Sequence, residues 1–383
     1  MKVLFGARMF DGERLHDDCA LVLEGASIAA LIPFADRPRV GEQQDLGGGT
    51  LSSGFIDWQI NGGGGVLFNA EPTVEGIAAI AAAHRRAGVT GFLPTVVTDA
   101  PHVLAEALAA AREAERRVPG ALGVHVEGPF IDPRRKGVHP AEFIRPMLEE
   151  DAEALIGARE GVMVVTLAPA SVPLERIARL AKAGIIVSLG HSEATAEEAA
   201  SVFAAGASAV THLYNAMSQL SSRAPGVVGA ALAEGRIVCG LIADGEHAHA
   251  LAYRAAIAAK GARGIALISD AMPPAAGGPD QFELQGRRMT RVGRKLVAED
   301  GTLAGAAITM RDAVDYVVRT LKIPLAEALT MATLTPARLL RVDDRIGRLQ
   351  PGFRADLVHL TDDLEVAEVW AGGRGLDEAE AAA

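Results

Sequence analysis

The sequence predicts an α/β fold: a closed (β/α)8 barrel of the TIM type, with a small β-sandwich domain built from both ends of the chain. Eight apolar, strand-like segments recur along the middle of the chain. Most of them precede an alanine-rich stretch whose apolar residues have helical spacing, whereas both chain ends alternate short strands with turns. Strand–helix alternation repeated eight times favours a closed parallel barrel. An open doubly wound sheet is the alternative, although no Gly-x-Gly-x-x-Gly motif follows the first strand.

The predicted barrel covers residues 51–344, and apolar runs between turn signals place its strands. The eight strands are expected at Gly54–Ile60, Gly91–Val97, Leu122–Glu127, Met163–Pro169, Ile185–His191, Ala209–Asn215, Ile237–Asp244 and Ile265–Asp270. Helices are expected between them, and Thr73 and Thr195 are typical helix N-caps. Residues 281–300 are expected to form a hairpin inserted after the eighth strand.

Residues 1–50 and 345–375 are expected to form one small domain beside the barrel. Neither segment can build a core alone, so the two should pair. Their candidate strands are Lys2–Phe5, Cys19–Glu24 and Ser27–Ile32 at one end, and Asp356–Leu360 and Ala367–Trp370 at the other.

The overall composition excludes several classes of protein. The 383 residues are 49% hydrophobic and 22% charged, which is typical of a globular protein. A formal net charge of −11 argues against a role on nucleic acid or at a membrane surface. No apolar run approaches the roughly 18 residues of a membrane-spanning helix, and the N-terminal residues lack the apolar core of a signal peptide. The two cysteines form no disulfide framework, so we expect a cytoplasmic protein.

Ionisable residues lie at or near the ends of four predicted strands, where packing of an apolar barrel core does not explain them. Glu127 and His191 end the third and fifth strands, and His212 and Asp270 lie in the sixth and eighth. The carboxyl ends of parallel barrel strands meet at one face, where TIM barrels carry their chemistry. One carboxylate and two imidazoles suit Zn²⁺ or Fe²⁺ and leave positions open for water or substrate. Asp270 is then the candidate proton acceptor.

Three other histidines are predicted to be structural. His125 shares a strand face with Glu127, but a buried, hydrogen-bonded histidine is at least as good an interpretation as a ligand. His84 and His102 lie in helical stretches and are expected on the surface.

Distinctive short motifs lie at residues 54–62, 125–130, 136–139, 190–192, 211–217, 243–247, 269–271, 333–337 and 347–357. Together they resemble those of the N-acetylglucosamine-6-phosphate deacetylases, which belong to the metal-dependent amidohydrolases. The resemblance implies a barrel with a small sandwich attached and one divalent metal ion per subunit. It also implies hydrolysis of the acetamide of N-acetyl-D-glucosamine 6-phosphate to D-glucosamine 6-phosphate and acetate, in amino-sugar metabolism.

The resemblance further implies roles at the reacting centre. Glu127, His191 and His212 match the metal ligands of these enzymes. Asp270 matches their catalytic acid/base, and His139 matches the residue that helps to polarise the acetyl carbonyl.

Four more residues match the site for the substrate phosphate. Asn215 and Ala216 fall where the family binds this group through main-chain and side-chain atoms. Arg223 and His247 match its cationic partners, with the arginine supplied by a neighbouring subunit. The resemblance therefore implies a homodimer with a phosphosugar substrate.

The chain departs from many amidohydrolases at the first strand. Those proteins carry His-x-His there, which builds a second metal site, whereas this chain has Gln59 and Asn61. Amides are poor ligands for a transition metal beside imidazole or carboxylate, so we expect a single metal. Zn²⁺ is the first expectation, with Fe²⁺ or Co²⁺ as alternatives.

Two other functions stay open from the sequence. The nearer is a different amidohydrolase, such as a deaminase, a cyclic-amide hydrolase or a deacetylase for another amino sugar, because a fold does not define its function. Asn215, Arg223 and His247 favour a phosphosugar among these. The farther alternative is a binding or scaffold protein on an inherited barrel. Such a protein would be expected to have lost Asp270 or a metal ligand, and none is missing.

Overall fold

Eight parallel strands form a barrel in the computed structural model, which describes residues 1–376. Each strand pairs with the next one along the chain, so the predicted fold class is confirmed. The barrel strands, first to eighth, are Phe55–Ile60, Val89–Val97, Gly123–Glu127, Val162–Leu167, Ile186–Leu189, Ala209–Val210, Val238–Ile242 and Ile265–Ile268.

Helices connect the strands and pack on the outside of the barrel. They are Val74–Arg85, Pro101–Arg117, Glu149–Ala158, Leu174–Lys182, Ala196–Ala204, Gly226–Ala233, Ala250–Lys260, Met310–Asp315, Leu325–Ala332 and Leu334–Leu339. Thr73 and Thr195 are N-caps as predicted, since each hydroxyl accepts a hydrogen bond from a first-turn backbone N–H group. Within residues 1–376, no helix is long and apolar enough to cross a membrane.

The sixth strand is shorter than the predicted Ala209–Asn215. It pairs over two residues only, because the chain turns sharply at its end. His212, Tyr214 and Ala216 all have positive φ, at 30°, 80° and 48°, and extended pairing cannot continue through them. After this turn the chain runs beside the residues that follow the fifth strand, where Ser192 and Met217 form a parallel bridge.

The barrel closes between its first and eighth strands through few backbone contacts. Ile60 and Ala271 form a single parallel bridge, and the backbone N–H of Asp270 donates to the carbonyl of Gln59 at 3.1 Å. The carboxylate of Asp57 adds to this connection. It is fully buried and accepts hydrogen bonds from the backbone and hydroxyl of Ser269.

Asp57 gives folding a predictable pH dependence. Burial raises its pKa to about 7, against hydrogen bonds from Ser269 and Gln59 that act to lower it. Between about pH 4 and pH 7 the folded protein therefore holds a proton that the unfolded chain has released. This stabilisation is complete below pH 4 and is lost as the pH rises through 7.

We expect Asp57→Asn to remove that dependence. The difference in free energy of unfolding between wild type and variant should fall as the pH is raised from 4 to 7, in urea titrations at several pH values. Asp17→Asn, at an exposed carboxylate, is the matched control. A difference that is the same at every pH would contradict this role for Asp57.

The two chain ends build two sheets with one apolar core between them. One sheet contains Ser27–Pro33, Cys19–Glu24, Lys2–Phe5 and Glu42–Asp45 in spatial order. The other contains Arg374–Gly375, Val366–Ala371, Leu357–Leu360, Thr50–Ser53, Arg8–Phe10 and Leu15–His16. Leu21 and Trp370, both fully buried, belong to the core between the sheets. On this basis we propose the predicted division into residues 1–50 with 345–375 and residues 51–344, with residues 51–53 moved to the small domain because Thr50–Ser53 pairs within its sheet.

The segment after the eighth strand is larger than the hairpin predicted for residues 281–300. It is a four-stranded antiparallel sheet of Gln281–Leu284, Arg287–Val292, Lys295–Ala298 and Leu303–Ala306. Met289 and Leu296 of this sheet share a small apolar cluster with Val97 and Met272 at the barrel mouth. The cluster fixes the inserted sheet beside the carboxyl ends of the strands.

Candidate functional site

Three polar side chains converge at the carboxyl end of the barrel. Glu127 is the last residue of the third strand, and His191 and His212 each lie two residues beyond the fifth and sixth strands. Glu127 Oε1 lies 3.2 Å from His191 Nε2 and 3.0 Å from His212 Nε2, and the two Nε2 atoms are 3.1 Å apart. All three residues are buried.

These three atoms fit a small divalent cation. Ligands about 2.0–2.1 Å from a tetrahedral Zn²⁺ are about 3.3–3.4 Å from one another. The observed separations of 3.0–3.2 Å are close to this spacing. The donor set of one carboxylate and two imidazoles also suits such an ion.

The backbone takes an unusual conformation at the strand ends of the site. His191, His212 and Asp270 have φ angles of 45°, 30° and 48°, in a region that residues other than glycine rarely adopt. Each such residue costs on the order of 1–3 kcal/mol, and such residues cluster at functional sites. The surrounding loops hold this conformation, since the carbonyl of His191 accepts from the backbone N–H of Asp132 at 2.9 Å.

Hydrogen bonding orients the first imidazole. His191 Nδ1 lies 2.8 Å from the carbonyl oxygen of Arg135, which can only accept, so Nδ1 carries the proton and Nε2 is left for a ligand. His212 Nδ1 is buried without a hydrogen-bond partner among the described residues.

The charges at this cluster are coupled. Burial acts to raise the pKa of Glu127, but its close contacts with the imidazoles of His191 and His212 outweigh burial and hold that pKa well below its ordinary value. Burial acts in the opposite direction on His212, and the hydrogen bond with Glu127 raises the pKa of this imidazole overall. Glu127 is therefore an ionised carboxylate, which is the form that binds a cation.

Two side-chain amides at the end of the first strand hold Asp270. Asn61 Nδ2 donates to Asp270 Oδ1 at 2.7 Å, and Gln59 Nε2 donates to the same oxygen at 3.1 Å. Gln59 Nε2 also lies 3.2 Å from both carboxylate oxygens of Glu127. Burial and the nearby charge of Glu127 raise the pKa of Asp270 to about 6. The residues that replace His-x-His thus act as hydrogen-bond donors to two carboxylates.

His139 lies against the same cluster. Its ring centroid is 4.5 Å from that of His191, and its Nδ1 is 2.7 Å from the hydroxyl of Thr98. Potential ligand atoms of Glu127, His139 and His191 lie within 4.8 Å of one another, so His139 is close enough to compete as a ligand. Burial and the neighbouring His191 lower the pKa of His139 to about 3, so its ring is neutral.

One cavity of about 370 Å³ joins these residues to the predicted phosphate contacts. Asn215, Ala216 and His247 line it together with all five residues of the predicted reacting centre. Arg223 is exposed and is not among the lining residues. The structure thus brings together eight of the nine predicted site residues, and leaves Arg223 outside the cavity of its own chain.

Several residues at the site were not predicted from the sequence. Arg134 and Arg135 line the cavity from the loop after the third strand, and Thr98 contacts His139. Asp244 lies 2.7 Å from His247 Nδ1. Only the Asp244–His247 pair has a sequence signal, because the two residues are three positions apart after a strand.

Two of the remaining histidines are fully enclosed. His125 is buried between Thr95 and Thr166, with a hydrogen bond on each ring nitrogen, as its structural interpretation predicts. The prediction for His84 is wrong: it is 1% exposed, because its Nε2 turns inward to the carbonyl of Gly62 at 3.0 Å.

Comparison with known proteins gives a consistent result. Residues 50–376 match the family described as "Amidohydrolase family". The chain is 40% identical to the N-acetylgalactosamine-6-phosphate deacetylase of Shewanella sp. (strain ANA-3), over 100% of this chain and 98% of the relative. It is 37% identical to the N-acetylglucosamine-6-phosphate deacetylase of Haemophilus influenzae, over 93% and 94% of the two chains.

Solved structures show the same relationship. The crystal structure of N-acetylglucosamine-6-phosphate deacetylase from Pasteurella multocida superposes with a TM-score of 0.95 and is 35% identical. The superposition covers 98% of this chain and 99% of that one. With its sequence match over residues 50–376, this protein belongs to the amidohydrolase family.

Proposed function

We propose that this protein hydrolyses the acetamide of N-acetyl-D-glucosamine 6-phosphate, releasing D-glucosamine 6-phosphate and acetate, in amino-sugar metabolism. The observation that carries the proposal is the convergence of Glu127, His191 and His212 beside Asp270 in one cavity. The full-length similarity to deacetylases of both amino-sugar 6-phosphates supports the substrate class.

Glu127, His191 and His212 would hold one divalent metal ion per subunit. The ion supplies a Lewis acid that polarises the amide carbonyl and lowers the pKa of water. We propose Zn²⁺, with Fe²⁺ or Co²⁺ as alternatives that accept the same donor set. Gln59 and Asn61 direct their NH₂ groups at carboxylates, which supports one ion rather than two.

Asp270 would move the proton of the reaction. Its Oδ1 already accepts two amide hydrogen bonds, so Oδ2 is the atom that we assign to the reacting water. The carboxylate accepts the water proton as the carbonyl carbon is attacked and then delivers it to the departing nitrogen. An amine is a poor leaving group, so the second transfer is as necessary as the first.

His139 would stabilise the negative charge that develops on the carbonyl oxygen. A hydroxyl proton from Thr98 donated to Nδ1 leaves the ring proton on Nε2, and the neutral ring can then donate to that oxygen. Burial of both partners keeps the donor in place before the substrate arrives.

His247, Asn215 and Ala216 would bind the phosphate at the other end of the cavity, with Arg223 supplied by the partner subunit of a homodimer. The side chain of Arg223 cannot serve the site of its own chain while it points into solvent. Leu220 and Leu251, close in sequence to Arg223 and His247, are 57% and 68% exposed and give a partner apolar surface to cover.

We expect Arg223→Ala to raise KM for N-acetyl-D-glucosamine 6-phosphate about 30-fold. A charge-assisted hydrogen bond to phosphate contributes about 2 kcal/mol. The KM for unphosphorylated N-acetyl-D-glucosamine should not change, and steady-state acetate release measures both values. Arg39→Ala, at an exposed arginine of the terminal segment, is the matched control. Equal increases for both sugars would remove Arg223 from the phosphate site.

The proposed activity has a direct test. The purified protein with its metal should release acetate from N-acetyl-D-glucosamine 6-phosphate, and with a much lower kcat/KM from the unphosphorylated sugar. The remote phosphate contacts are what orient the amide. Equal turnover of the two sugars would contradict the substrate assignment.

The second candidate substrate is N-acetyl-D-galactosamine 6-phosphate. Its specific support is the 40% identical relative from Shewanella, which is named for that epimer. The same assay with this epimer decides between the two substrates, since the preferred one will have the higher kcat/KM.

Cys19 and Cys239 are both unpaired, which supports the proposal of a reducing, cytoplasmic location.

A further inference from the structure

Asp244 is a buried carboxylate to which none of the roles above has been assigned. It lies two residues beyond the seventh barrel strand, and its side chain is 0% exposed. Its Oδ2 is 2.7 Å from Nδ1 of His247, whose side chain is 4% exposed. Buried pairs of titratable groups beside a cavity are common at functional sites, so the Asp244–His247 pair is a candidate for a functional role.

The second oxygen of Asp244 is fixed by the protein itself. Oδ1 accepts backbone hydrogen bonds from Glu246 at 2.8 Å and His247 at 3.0 Å, and the Tyr253 hydroxyl lies 3.4 Å away. Burial acts to raise the pKa of Asp244, but its hydrogen bond with His247 outweighs it and lowers the pKa overall. The carboxylate is thus ionised, with both oxygens engaged.

Two tyrosines pack beside the Asp244–His247 pair. The rings of Tyr253 and Tyr316 meet edge to face, with centroids 5.9 Å apart. The Tyr253 hydroxyl also accepts from the backbone N–H of Ala248 at 2.9 Å, which fixes the turn that carries His247. With Nδ1 facing Asp244, the ring has only Nε2 left for a ligand in the cavity.

We propose that Asp244 is a positioning residue of the sugar-phosphate subsite. It accepts the Nδ1–H of His247, directs Nε2 into the cavity, and balances the positive charge of the ring while Nε2–H donates to a phosphate oxygen. This inference deepens the proposed function and rests on it.

Asp244→Asn removes the negative charge of the carboxylate but keeps the size and shape of the side chain. The backbone N–H groups of Glu246 and His247 would keep the amide oxygen at the Oδ1 position, so the NH₂ group would face His247 Nδ1. That arrangement leaves a neutral ring with its proton on Nε2. Loss of the positive charge on the ring should remove about half of the ~2 kcal/mol that such a contact contributes, so we expect KM for the phosphosugar to rise about fivefold.

Three readouts distinguish positioning from loss of structure. In Asp244→Asn, kcat for the phosphosugar should stay within about threefold, and KM for unphosphorylated N-acetyl-D-glucosamine should not change. Calorimetric binding of D-glucosamine 6-phosphate should weaken by the same factor as KM rises. In a His247→Gln background, Asp244→Asn should add no further increase, because its effect acts through the ring. Glu246→Gln is the matched control, at a half-exposed carboxylate of the same turn.

Equal losses for both sugars, or an unchanged KM for the phosphosugar, would overturn the role of Asp244. A measurement on the wild-type holoenzyme covers the case in which the variant does not fold. With D-glucosamine 6-phosphate bound, ¹H–¹⁵N correlation spectra should show His247 protonated at Nδ1, and a bare Nδ1 would overturn the proposal. Failure of the proposed function is a separate outcome, in which the wild-type protein releases no acetate from the phosphosugar.

Discussion

Replacing Asp270 with asparagine is expected to lower kcat for acetate release by between about a hundredfold and ten thousandfold. General acid–base catalysis contributes about this much, and in the proposed mechanism one carboxylate serves both proton transfers. The amide oxygen of the variant can still accept from Gln59 and Asn61, so its NH₂ group takes the position of Oδ2. An NH₂ group in that position cannot accept a proton from water.

Metal binding and product binding should be retained in Asp270→Asn. Their retention would show that the loss of activity comes from the chemical step and not from a disrupted structure. Metal content by elemental analysis and the affinity for D-glucosamine 6-phosphate should both stay close to wild type. Asp280→Asn, at an exposed carboxylate beside the inserted sheet, should keep full activity. A variant at Asp270 that retains wild-type kcat would exclude this carboxylate as the proton carrier.

The second large effect distinguishes the proposed role of His212, as a metal ligand, from that of His139, as a hydrogen-bond donor to the carbonyl oxygen. We expect His212→Asn to lose bound metal and nearly all activity, because its Nε2 is 3.0 Å from Glu127 Oε1 and 3.1 Å from His191 Nε2. We expect His139→Asn to keep the metal but to lose about a hundredfold to a thousandfold in kcat, the usual cost of removing one oxyanion donor.

Metal content measured on both variants decides the ligand set. The alternative is geometrically possible, since the potential ligand atoms of Glu127, His139 and His191 lie within 4.8 Å of one another. Loss of metal from His139→Asn together with its retention in His212→Asn would assign the ligand position to His139 instead.

The strand–helix order of the barrel could be predicted because parallel strands buried on both faces leave continuous apolar runs. Local turns could not be predicted as well. The sixth strand ends at Val210 because His212 adopts a positive φ. Residues other than glycine rarely take this conformation, so the sequence does not predict it. The inserted sheet extends to Ala306 because apolar residues such as Met289 and Leu296 pack against the barrel mouth, a contact between distant segments.

The candidate site shows the same division. Glu127, His191 and Asp270 could be singled out because each is a polar residue at the end of an apolar run. Thr98 could not, since its contact with His139 joins residues 41 positions apart. His84 was expected on a helix surface because helical spacing does not show which face meets the loop at Gly62.

The first-strand amides illustrate how a structure refines a sequence interpretation. From the sequence, Gln59 and Asn61 could be understood only as the absence of histidine ligands. In the structure they are donors to Asp270, and Gln59 also reaches Glu127. Substituting two histidines for these amides would therefore also remove hydrogen bonds from Asp270, the proposed proton carrier.

The most direct test of a mononuclear amide-hydrolysing centre is a metal titration of the chelator-treated protein. Acetate release from N-acetyl-D-glucosamine 6-phosphate is measured after each addition of Zn²⁺. The proposed site predicts no activity without metal, a linear rise, and saturation at one equivalent per chain. Saturation only at two equivalents, or full activity without any metal, would contradict it.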